Sequence, residues 1–429
     1  MATNLLDDTA QYVGWVESPN ARGTMDIIWS CVVVLITAIW TVIHLNLPSK
    51  ADSLTQITLR RIRWGVLSIF APDLLTLIAA SQWDNAKRSV RQMKELTGSE
   101  RWTLVHAFYA NSGGFHLQPV EGPSFPINAD SILFLVSHGY VEMPQVTREE
   151  IWDKSKADVF AKAFALLQTG WIIIQSIARA AAGLSLSPLE LFTLAFVVST
   201  ASSYFFWWYK PQHVETPMVL YSEFPVSKIL ADVGLPSDMP FVSTPLEFIE
   251  KSNQTWERRK MFENFDLERQ DQVVGTDRVP LQRIPDDAIL PSQLPLPLLA
   301  ALIIPSMIHS CIHLMGWNLP YPTKTEQLLW RISAVMLAGM SCISVGMVRV
   351  LAVLGYKGKY NLVWIWINVR RQSSENRICL DFWDTILALS TFCLVIARCF
   401  IITEVVISLR HLPADVFLTV NWTNFIPHI

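Results

Sequence analysis

Ionisable side chains inside the long apolar runs of this chain are few. Each needs a partner or a water-filled space, because a charge in hydrocarbon costs about 2.5–3.5 kcal/mol even on insertion scales. They are Asp26, His44, His309, His313, Arg398 and Glu404, with Asp73 in an apolar run interrupted by Pro72. His309 and His313 stand one helical turn apart and share a face, so they could supply two imidazoles to a metal or to a proton relay. Histidines of a packed core satisfy the same spacing, and two ligands do not complete a metal site. Arg398 and Glu404 are six residues apart, about 240° around a helix, so each must look to another helix or to a cavity. A carboxylic acid held protonated by desolvation can donate to an epoxide or alkene. On that chemistry Asp73, Glu190 and Glu404 are the catalytic candidates, and His44, His309, His313 and Arg398 are the binding candidates. Glu190 has a structural alternative, an ion pair with Arg179 across a short turn.

Several chemistries lack their residues. The chain has no aspartate-rich cluster to hold magnesium against a diphosphate, no Walker A loop and no dinucleotide glycine loop. Its nine histidines are scattered rather than boxed, and its six cysteines form no C-x-x-C pair. No metal and no cofactor is expected. Asp381 and Asp384 in D-F-W-D read as acids at a helix start, where the dipole favours them.

The elements that carry these residues follow from hydropathy. Of 429 residues, 51% are hydrophobic and 17% charged, too apolar for an ordinary soluble protein of this size. Runs at 27–45, 163–182, 186–209, 294–316, 327–350 and 385–408 each reach the length that crosses a bilayer. The reading is an all-α, polytopic bundle of six spanning helices, seven if 64–80 also crosses. Pro72 argues against that seventh span, since it lacks an amide hydrogen and should break the helix near Ala71. Residues 64–95 then form a broken, re-entrant or interfacial helix that ends in Lys87, Arg88, Arg91 and Lys94, suited to anionic lipid headgroups.

Loop charge sets the orientation. Of 34 Lys and Arg residues, twelve fall in 46–158, nine in 210–293 and five in 351–379. These three segments are expected to be cytoplasmic, leaving 1–26 and 409–429 on the opposite side of an endomembrane or plasma membrane. Asn421, in N-W-T, is a weak glycosylation acceptor on that side. Residues 147–182 read as one long helix, opened by a Thr147/Glu150 capping box and closed by Gly183. The segment 210–293, rich in proline and acids, reads as a small domain or a partly disordered insertion. A net charge of −3 and the lack of a basic fold set nucleic acid aside.

The run W-S-C-V-V-V-L-I-T-A-I-W-T-V-I-H-L-N-L-P from Trp29 to Pro48 resembles the opening of a large family of fungal multi-pass membrane proteins. A-P-D-L-L, W-T-L-V-H-A-F-Y-A-N-S-G-G-F, D-K-S-K-A-D, L-Q-T-G-W, W-W-Y-K-P and the closing T-V-N-W-T-N-F-I-P-H-I resemble its further blocks. Ala38 departs from it, standing where many members have a second cysteine. The resemblance implies a fungal source and a lipophilic substrate or partner from secondary metabolism, and fixes no catalytic residue.

Two functions of different class follow. The first is a cofactor-independent cyclase or isomerase of the terpene-cyclase kind, acting on an isoprenoid or meroterpenoid. The second is a transporter, sensor or scaffold for other pathway enzymes, resting on the same polar interior and the 211–293 segment.

Overall fold

The protein, seen in a computed structural model, is described over residues 12–18, 22–155, 159–237, 241, 243–252, 280–286, 296–319, 321–353 and 382–420. Asp381, Asn421 and most of 351–379 lie outside these residues. The chain opens with strand β1 (Tyr12–Val13) and helix α1 (Thr24–Val42). Asp26 is not a buried charge within that helix. Its carboxylate accepts from the Gly23 amide at 2.8 Å and the Ser18 hydroxyl at 2.7 Å, so it caps the helix start.

Helices α2 (Leu54–Phe70) and α3 (Pro72–Thr97) meet at 113°. The break falls where Pro72 demands it. The Ala71 amide makes the last bond of α2, to the Leu67 carbonyl at 2.7 Å, and Pro72 then opens α3 as a first-turn proline. Gly65 lets α2 lie close to α1, since a side chain there would begin 3.0 Å from the Ile39 methyl.

Next come α4 (Leu104–Asn111), β2 (Phe115–Gln118), β3 (Phe125–Ile127), α5 (Ala129–Ser137) and α6 (Arg148–Asp153). Thr147 and Glu150 make the capping box of α6. The expected continuous helix from 147 to 182 is not formed. Helix α6 stops at Lys154, and the Ser155 hydroxyl turns aside to donate to the Gln212 carbonyl at 2.8 Å. Helix α7 (Val159–Ala181) then starts anew and ends at Gly183, whose φ of 68° is left-handed. It is followed by α8 (Pro188–Phe206), β4 (Met218–Tyr221), α9 (Val226–Asp232) and α10 (Glu247–Ser252). The last elements are α11 (Leu296–Met315), α12 (Lys324–Val353), α13 (Phe382–Ile407) and β5 (Leu412–Pro413).

The structure is mostly helical, with two small sheets among the described residues. Among the described residues, four helical stretches are long and apolar enough to cross a membrane: Thr24–Val42, Pro188–Phe206, Ala300–Asn318 and Phe392–Arg410. The bent pair α2 and α3 would add a fifth if it counts as one span. Helices α7 and α12 pack in the same bundle, α7 on α1 and α12 on α11 and α13.

Strands join segments that sequence reading keeps apart. β2 pairs antiparallel with β3 and parallel with β4, Phe115 opposite Met218 and Gln118 opposite Tyr221. The segments on either side of α7 and α8 therefore fold together as one α+β domain, with Phe115, Leu117, Phe125 and Ile132 in its core. Gly114 is required at its hub, because the Tyr109 ring lies 2.5 Å from where a β-carbon would stand. Helix α3 runs from the bundle into this domain, packing on α8 with one half and on α4 and α5 with the other.

At the far end the chain is clasped by β1 pairing with β5. The start of α1, the end of α7, the start of α8, the start of α12 and the end of α13 all meet there. They are joined by Arg22 to Glu190, by Arg179 to residues 415–418 and by Arg410 to Glu326. The bundle thus has a cap end and a domain end.

Candidate functional site

The middle of the bundle holds a buried group of polar side chains. Arg398 lies nine residues before the end of α13, about 13 Å from the cap end at 1.5 Å per residue. The residue is 3% exposed. Nη1 donates to His309 Nε2 at 2.6 Å and lies 3.3 Å from His313 Nε2, while Nε donates to the Ile69 carbonyl at 3.2 Å. The Phe192 ring lies 5.2 Å from the guanidinium carbon.

These contacts settle the tautomers. Arginine only donates, so both Nε2 atoms accept and both Nδ1 atoms carry the hydrogen. His309 Nδ1 uses it on the Ala195 carbonyl at 2.9 Å, beside the Ser199 hydroxyl at 3.0 Å. His313 Nδ1 is buried and has no partner, and neither has Arg398 Nη2. A buried donor left unpaired costs about 1–3 kcal/mol, and two occur within one contact of each other. Arg398 also sits on the nitrogens that a metal would need. Among the described residues no three His, Cys, Asp or Glu side chains gather as a metal site.

The elbow between α2 and α3 reaches the same level. Arg398 holds the last turn of α2 through the Ile69 carbonyl. The Thr76 hydroxyl, one turn into α3, lies 2.9 Å from the Ser203 hydroxyl on α8. Asp73, in the first turn of α3, hydrogen-bonds Ser306 on α11 and faces the charge of Arg398. Asp73 is itself exposed.

The structure brings together Asp73, His309, His313 and Arg398 from three separated stretches of sequence. It does not bring the other candidates there. Glu190 is at the cap end, ion-paired with Arg22 and accepting from the Ser187 amide and hydroxyl at 2.9 Å each. The expected Arg179–Glu190 pair is absent. Arg179 is buried instead among the carbonyls of Ser185, Asp415, Val416 and Leu418, which use its donors at 2.8–3.2 Å. Glu404 is buried with Oε1 unpartnered, but its charged neighbours are Glu326 and Arg410 near the cap. His44 lies past the end of α1 at the domain end, its Nδ1 2.8 Å from the Val42 carbonyl and its ring between Tyr204 and Trp207.

A second buried cation escaped the sequence reading. Lys210, 2% exposed, follows the aromatic run that ends α8 and looks in sequence like an interfacial residue. Its Nζ donates to Asn46 Oδ1 at 3.0 Å and Gln82 Oε1 at 2.9 Å. The partner amides are used in turn. Asn46 donates its backbone N–H to Asp286 Oδ1 at 2.6 Å and its side chain to the Pro285 carbonyl at 2.8 Å, and Gln82 donates to the Asp286 carbonyl at 2.9 Å. Residues 280–286 are so strapped across the junction of bundle and domain. Burial pushes the Lys210 amine down to about 7, against the pull of Asp286. In the domain itself burial pushes His116 down to about 4, helped by Lys50, and lowers His106. His106 is structural, accepting from the Thr103 amide at 3.2 Å and donating to the Val146 carbonyl at 2.9 Å.

The model of a family of unknown function, DUF8562, matches residues 3–244 and 298–429. The chain belongs to that family. The matched residues include all four members of the Arg398 cluster and Lys210, whereas the strap at 280–286 falls in the unmatched stretch. No curated protein and no solved structure matches the chain.

Proposed function

We propose that this protein is a six-span integral membrane protein that binds a lipophilic small molecule between its helices and isomerises or cyclises it by proton transfer, without a cofactor. One observation carries the reading: two unused donors, Arg398 Nη2 and His313 Nδ1, buried on side chains that touch each other in the middle of the bundle. Donors held ready and dry where an oxygen can receive charge are what acid-initiated or enolising chemistry needs. Asp73 is the carboxylate of the site that takes up and returns the proton, being the one of the three carboxyl candidates that faces Arg398. Glu190 serves the cap. The six spans are α1, α7, α8, α11, α12 and α13, and the meeting of their alternate ends at the cap supports that count. The α+β domain is cytoplasmic in this reading, with Lys87, Arg91 and Lys94 exposed toward anionic headgroups. An isoprenoid or polyketide-derived skeleton fits the apolar and aromatic surroundings.

The test is an untargeted comparison of metabolites, in cells and medium separately, between cells carrying the protein and cells carrying Arg398→Met. Loss of one compound with accumulation of a precursor of equal mass is the expected result. A second reading, transport, is favoured by the broken pair α2 and α3, since half-helices meeting inside a bundle are a common transporter device. Unchanged structures with an altered distribution between cells and medium would replace isomerisation with transport.

A further inference from the structure

We infer that the polar end of the bound molecule is a neutral oxygen acceptor, a ketone, aldehyde or epoxide, and not a carboxylate or phosphate. This rests on the site proposed above and names the chemical class it takes. The missing partner must be an acceptor, because both unpartnered atoms carry hydrogens: Arg398 Nη2 always does, and His313 Nδ1 does because its Nε2 faces the guanidinium at 3.3 Å. An ammonium group has no lone pair to offer, and the aromatic faces of Phe192 and Trp330 around His313 leave an apolar skeleton as the rest of the ligand.

The charge balance excludes anions. Arg398 brings one positive charge, and Asp73 on the facing helix start brings one negative charge. His309 and His313 are neutral in the tautomers that Arg398 imposes, and the hydroxyls of Ser199, Ser203, Thr76 and Ser306 add no charge. The cluster is already balanced. A carboxylate or phosphate would bring an uncompensated charge into the bundle, where unpaired ions are strongly disfavoured, whereas a neutral oxygen accepts from an unused donor and adds no charge.

Three probes of matched length separate the possibilities: 2-hexadecanone, palmitate and hexadecane, each offered to the full-length protein in lipid nanodiscs at pH 8 and quantified on the purified particle against empty nanodiscs. The ketone should be retained at least tenfold over hexadecane and over palmitate. Its carbonyl stretch, read by difference infrared spectroscopy, should move to lower wavenumber when bound. Arg398→Met should bring retention down to the hexadecane level, and the infrared shift on the unaltered protein keeps the test decisive if that variant does not fold. Palmitate retained above the ketone would overturn the neutral-acceptor inference while leaving a polar site in the bundle. Equal retention of all three, with an unshifted carbonyl, would overturn the site as well.

Discussion

Arg398 and Lys210 are both cations buried in one protein, and they differ in how their hydrogens are spent. Lys210 gives its donors to two amide oxygens, and those amides hold the strap at 280–286 in turn. Arg398 fixes one helix end and two imidazoles, yet keeps Nη2 unused, and its neighbour His313 keeps Nδ1 unused. The cap repeats the first pattern, with Arg179 wrapped by carbonyls on several sides. A buried cation whose partners are complete is part of the scaffold. One whose partners are incomplete, with a carboxylate facing it, is the place at which a ligand is proposed.

That contrast breaks most visibly under substitution of the two cations. Arg398→Met should lower conversion of the substrate by at least about 100-fold, in line with the loss of a preorganised donor, in protein that still purifies as a folded species. Lys210→Met should act on stability instead. It leaves the Asn46 oxygen without a donor and the Gln82 oxygen with the Trp207 indole alone, costs about 1–3 kcal/mol, and should expose 280–286 to limited proteolysis while conversion per folded molecule stays near that of the parent. Arg179→Gln strips several carbonyls at the cap of their donor and should cost about 1–3 kcal/mol in thermal unfolding, again with conversion retained.

The domain end should also answer to pH. Lys210 is held near 7 in the folded chain against an ordinary 10.5, so between those values the unfolded chain keeps a proton that the folded chain has lost. Stability therefore rises with pH across that window. His116, held near 4 against 6.5, acts in the same direction lower down, its contribution present above 6.5 and lost as pH falls toward 4. Hydrogen exchange at β2, β4 and the strap should slow from pH 5 to pH 9 after correction for intrinsic rates. Lys210→Met should remove the upper part of that trend and leave the lower part. The smallest effect is expected at Glu404→Gln. An amide in place of a buried carboxyl with an unpartnered oxygen should change stability by less than about 1 kcal/mol, and conversion should stay within about threefold.

Much of the scaffold was legible because its signals are local. Pro72 announces the break before α3, Thr147 and Glu150 announce a helix start, and the four-residue spacing of His309 and His313 puts them on one face. Partners across helices carry no such mark. Nothing near Arg398 says that it will meet those two histidines, and nothing near Glu190 says that Arg22 will outcompete Arg179. The same limit hid the sheet, since β2 and β4 lie about a hundred residues apart and each is four residues long. Lys210 carries no mark of burial for a different reason. A lysine after Trp-Trp-Tyr is ordinary at a membrane surface, and only the fold reveals that the α+β domain and the strap close over it.

The most direct test sets Arg398→Met beside Lys210→Met in one experiment, measuring product formed per molecule of folded protein together with the unfolding temperature of each. Lost conversion with a modest fall in unfolding temperature for Arg398→Met, and a lowered unfolding temperature with conversion retained for Lys210→Met, is the expected result. Conversion lost only in Lys210→Met, or retained in Arg398→Met, would contradict the assignment of the site to the middle of the bundle.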